Sequence, residues 1–167
     1  MQLVHMASEL RSRAGQHHAA ISTSKIMRTC FPHVHVTGRV LPAGVHEAVS
    51  NTPTGIILVY ARGLPSPDQR FAIAHGMAHL LFDTEESACL PGRTGVVDVE
   101  ARADRFAEEL LVPLGELAKH ARLRPSTDPD QQEFFLDHVD EISSRFHVPS
   151  RVIERRLHEL ISLTQTF

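Results

Sequence analysis

The sequence predicts an α+β fold: a small antiparallel or mixed sheet in the first half, then helices. Between His33 and Gly63, valines and other β-formers alternate or cluster in short runs broken by turn residues, which is strand patterning. From Pro67 onward apolar residues recur every three or four positions, which is helical patterning.

Each element follows from its own text. In "LVHMASELRSRAG", Leu3, Met6 and Leu10 share one face and Gly15 follows as a stop, giving a first short helix. "TSKIMRTCFP" gives a second, ended by Pro32. "HVHVTGRVLP" alternates valines at 34, 36 and 40 and reads as a strand. "GVHEAVS" and "GIILVYARG" read as two more, separated by the turn-rich "NTPT". A helix over 68–82 comes next, with Ser66 placed to cap it and Pro67 in its first helical position. An amphipathic helix over 99–112 ends at Pro113, and a short piece over 114–122 runs into "RPSTDPD". Helices over 131–146 and 150–163 close the chain, joined at "HVP". The segment "DTEESACLPGRTGVVD" between the first two of these helices reads as a loop. Without internal repeat or low-complexity text, one domain over 1–167 is expected.

Composition narrows the partners. With 167 residues the chain is long enough to bury a core. A formal charge of −3 gives no global attraction to nucleic acid or anionic membrane. No apolar run approaches the roughly 20 residues that cross a bilayer. The opening "MQLVHMASELRSR" has no apolar core, so no signal peptide is expected and the cytoplasm is the expected compartment. Cys30 and Cys89 form no CxxC pair and read as free thiols. The 12 histidines include no tag-like run.

Two histidines stand apart. In "RFAIAHGMAHLLF", His75 and His79 lie one turn apart on one helix face and can turn their nitrogens toward one ion. Zinc suits such a pair because it takes nitrogen and oxygen ligands in a tetrahedron. The bland alternative is a metal-free pair in the core. That would put two imidazoles among Phe71, Ile73, Leu80 and Phe82 with no evident partner, which is costly. A third ligand is needed, and Glu100 in "VEARADRFAEELLVP" is the best candidate. Its helix carries an apolar seam at Ala103, Ala107, Leu110 and Leu111 that can pack on the histidine helix. Asp104, one turn further on, can hold a ligand imidazole in one tautomer.

The two segments together resemble the ImmA/IrrE family of zinc metallopeptidases, whose pattern is RFxxAHExxH followed by ExxA(N/D)xFAxxLLxP. The resemblance extends from the leading helices through "GIILVYARG" to "FHVPSRVIERRL" and so covers most of the chain. It implies a zincin-like, gluzincin-like core, Zn²⁺ on His75, His79 and Glu100, and Asp104 at the family's Asn/Asp position. It also implies a cytoplasmic regulatory role, with a helix-turn-helix repressor or a toxin–antitoxin protein as partner.

This chain departs from the pattern at Gly76, where the family carries the glutamate of HExxH. That side chain takes a proton from the attacking water and passes it to the leaving amine. Glycine can do neither, so a metallo-endopeptidase fold with lost activity is expected. Three explanations stay open. The chain is a natural pseudopeptidase, or it is an inactivated copy of an active enzyme, or Asp83, Glu85 or Glu86 supplies the carboxylate instead. Vacant space beside the metal is expected at position 76. Tyr60 is a weaker candidate, able to donate a hydrogen bond to a substrate carbonyl, against the simpler reading of a core tyrosine. The closing helices resemble a helix-turn-helix with Arg151, Arg155 and Arg156 facing phosphates. The negative charge and the family's own closing helices argue against direct DNA binding.

Overall fold

A computed structural model describes residues 2–82, 96–120 and 138–164, with the backbone alone for 96–98 and 164. The segment of Asp83, Glu85, Glu86 and Cys89, and the stretches 121–137 and 165–167, lie outside the described residues. The described chain runs α1 (Gln2–Arg13), α2 (Thr23–Cys30), β1 (Val34–Arg39), β2 (Glu47–Thr52) and β3 (Gly55–Ala61). It continues through α3 (Ser66–Phe82), α4 (Val96–Leu111), α5 (Leu114–His120), α6 (Val139–Phe146) and α7 (Ser150–Thr164).

The expected α+β order is present, and the sheet is mixed. β3 lies in the middle, parallel to β1 and antiparallel to β2. The expected second strand shifts along the chain. β2 leaves out residues 44–46 and takes in Asn51 and Thr52, because Thr52 and Gly55 pair across a two-residue turn. Thr52 closes that turn with its own hydroxyl, donating to the Gly55 carbonyl at 2.7 Å and accepting from the Thr54 amide at 3.3 Å.

Residues paired across strands share a face. One row on the face toward α3 holds Val36, Leu58 and Val49, and the next holds Gly38, Tyr60 and Glu47. α3 packs on this sheet and against α4. Every residue from Phe71 to His79 is buried. Over that stretch no side needs to face water, so apart from the two histidines its text is apolar all round.

Three arginines tie the helices together. Arg11 is 7 % exposed and donates to the carbonyls of Leu110 and His18, both at 2.8 Å, which fastens α1 to α4. Arg70, at the start of the histidine motif, donates to the carbonyls of Ile21, Phe146 and His147. Arg156 donates to the Val112 carbonyl at 3.0 Å and pairs with Glu109 and Glu159.

Helix ends agree with the text in part. Gly15 takes φ +60 and its neighbour's amide reaches back to Arg11, closing α1 where a stop was expected. Ser66 does not precede α3 as a cap but opens it. Pro65 offers the first helical carbonyl to Gln69, and the Ser66 hydroxyl meets His147 Nε2 at 3.1 Å. α4 begins three residues before the expected start at 99. No helix of the described residues is long and apolar enough to cross a membrane.

Candidate metal centre

The centre is assembled from three elements. α3 supplies His75 and His79, whose rings lie 4.9 Å apart between centroids. α4 supplies Glu100, with its Oε2 3.1 Å from His75 Nε2 and its Oε1 3.8 Å from His79 Nε2. β2 supplies Glu47, whose Oε1 lies 3.7 Å from His75 Nε2. Sequence reasoning brought His75, His79 and Glu100 together and missed Glu47. A signal was present, since Glu47 shares strand parity with Val45 and Val49 and so falls on an apolar face.

Asp104 stands where one turn of α4 puts it. Its Oδ1 is 3.0 Å from His75 Nδ1, so the ring donates from Nδ1 and turns Nε2 toward Glu100 Oε2. Burial works against a charged His75. The hydrogen bond to Asp104 and the charges of Glu47, Asp104 and Glu100 outweigh it, and the ring's pKa is raised. Burial likewise works against the Asp104 carboxylate, but the His75 bond and Arg155 hold its pKa below the usual range. Arg155 bridges Asp104 at 3.2 Å and Glu108 at 2.7 Å, so α7 holds α4 at the cleft.

The donor set fits a divalent ion. Ligand atoms on a tetrahedral zinc, at metal bonds of about 2.1 Å, lie about 3.4 Å from one another. The 3.7 Å from Glu47 Oε1 to His75 Nε2 lies near that edge, while Glu100 faces the two imidazoles with a different oxygen each, Oε2 at 3.1 Å and Oε1 at 3.8 Å. Glu47, His75 and His79 form a buried cluster that could hold a metal, with one ligand atom from each within 4.8 Å of the others. Beside it opens a cleft of about 440 Å³, lined by His46, Glu47, His75, Glu100, Asp104 and Arg155 among others.

Gly76 does not line that cleft. The vacant space expected there is filled: a Cβ at position 76 would sit 2.7 Å from Leu58 Cδ1 and 3.1 Å from its Cγ. Leu58 is wholly buried in the central strand. Tyr60 shares the sheet face of Glu47 but does not line that cleft; it lines a separate cavity of about 400 Å³ with Phe31, Val34, Val36 and Ile73. The α7 arginines meet acids of the domain itself, Arg151 pairing with Asp68 at 2.6 Å.

A histidine helix seated on a mixed sheet, with a carboxylate-bearing helix across it, defines a metallopeptidase-like fold. The IrrE N-terminal-like domain of the M78 peptidases matches residues 27–158, and the chain belongs to that family. Among solved structures, a Mycobacterium tuberculosis transcriptional regulator has a similar fold, with a TM-score of 0.63 at 20 % identity. The match covers 91 % of this chain and 44 % of the regulator, so this chain spans less than half that protein's length. No curated protein sequence matches the chain.

Proposed function

We propose that this domain is a zinc-binding pseudopeptidase of the cytoplasm that regulates by binding its partner. His75, His79 and Glu100 hold the zinc, and Asp104 orients His75. Zinc bound there would tie the histidine helix to α4. The partner, from the family resemblance, is a helix-turn-helix repressor or a toxin–antitoxin protein. The reading rests chiefly on Leu58. An enzyme that had merely lost its glutamate would keep room for one, whereas here Leu58 fills the direction in which a side chain at 76 would leave the helix. The packing favours a chain shaped around glycine over an inactivated copy of an active enzyme.

The test pairs the zinc-loaded protein with helix-turn-helix repressors encoded near it. Binding without cleavage is expected, and Gly76→Glu is expected to create no cleavage. Zinc-dependent cutting of such a repressor by the unaltered chain would refute the reading.

A further inference from the structure

Neither the histidine helix nor the family pattern accounts for Glu47. It sits on β2 with 5 % exposure, in the sheet row that faces α3. A carboxylate is costly to bury unless cations or hydrogen bonds meet it. Its Oε1 approaches His75 Nε2 at 3.7 Å, close to the edge of about 3.4 Å expected for two ligands of one tetrahedral zinc.

Resting on the metal reading above, the geometry points to Glu47 as a fourth protein ligand that closes the zinc site. His75, His79, Glu100 and Glu47 then complete a four-coordinate shell with no position left for water. Structural zinc sites are closed in this way, whereas catalytic ones keep a position open. Charge supports it. Two carboxylates balance a divalent ion and the imidazoles bind neutral, with the Asp104 charge offset by Arg155. Gly76 and Glu47 become two parts of one departure. The helix gives up its carboxylate to make room for Leu58, and the neighbouring strand supplies one at ligand spacing.

The experiment uses the full chain loaded with Co²⁺, whose visible spectrum reports coordination, titrated with acetohydroxamate as a probe for an open position. The wild-type spectrum should be four-coordinate and unmoved by the probe, and that of Glu47→Ala should shift with it. In chelator competition, Glu47→Gln should weaken zinc binding by more than about 100-fold, the upper range for groups that only support a ligand. Circular dichroism of each variant checks the fold, and the wild-type titration needs no variant. A wild-type spectrum that moves with hydroxamate overturns the proposal, leaving Glu47 beside an open site. Unchanged zinc affinity in Glu47→Gln also overturns it, and zinc loss in His75→Ala would then keep the underlying metal reading intact. If neither His75→Ala nor Glu100→Ala loosens zinc, that underlying reading fails and this one falls with it.

Discussion

A glycine inside a helix forfeits about 1 kcal/mol against alanine, yet at position 76 the smaller residue is the better fit. A methyl there would press on Leu58 Cδ1 at 2.7 Å, and overpacking a tight core costs about 1–3 kcal/mol. Gly76→Ala should therefore leave stability level or lower it by up to about 2 kcal/mol. In a Leu58→Ala background the same change should stabilise, because Cγ and both δ carbons of Leu58 are gone and the helix preference remains. Urea unfolding of the four proteins of this cycle checks it, and additivity within experimental error would sink the account. Position 76 also marks where the sequence stopped being readable. His75, His79, Glu100 and Asp104 were legible because four-residue spacing on a helix fixes which side chains share a face. Glu47 and Leu58 were not. Strand parity tells which face a residue takes but not which helix residue lies opposite.

Among the elements, α3 carries the most weight, and Arg70 is its anchor. One guanidinium reaches three carbonyls, those of Ile21, Phe146 and His147, from two distant parts of the chain. A lysine at 70 has a single ammonium and no planar fork to match them. Arg70→Lys should cost about 2–3 kcal/mol, close to the loss expected for a hydrogen bond to a charged group. A smaller loss, under about 0.5 kcal/mol and thus of ordinary surface size, would show that the anchor is dispensable. The motif's arginine is therefore explained by packing, which no text pattern reveals. The closing helices make the same point in the opposite sense. Arg151, Arg155 and Arg156 looked suited to phosphates, but each pairs with acids of α3, α4 or α7. Gel-shift titration at low salt should show no retardation of duplex DNA. A shift that weakens steeply with salt would contradict this, since counterion release is the signature of phosphate contacts.

For the whole molecule, the proposed metal joins β2, α3 and α4, so its binding should appear as folding stability. At a free zinc concentration about a thousand times the dissociation constant, the gain is about 4 kcal/mol, or on the order of 10 °C in melting temperature for a chain of this size. His75→Ala should melt at the same temperature with and without zinc. A zinc-induced rise in that variant would place the stabilising ion elsewhere. The order of strands and helices was legible because each has its own period, and the sheet's mixed pairing was not. The central place of β3 depends on how the chain crosses between β1 and β2 rather than on any local pattern. The bond from Arg11 to the carbonyl of Leu110 spans 99 residues, and it sets a timetable for synthesis. A ribosome adding about 5–20 residues per second makes α4 roughly 5–20 s after α1. Through that interval α2 can pack on α1 but α4, its larger partner, is missing. Chains stalled before residue 110 should therefore be cut by protease within α1, where the released protein resists.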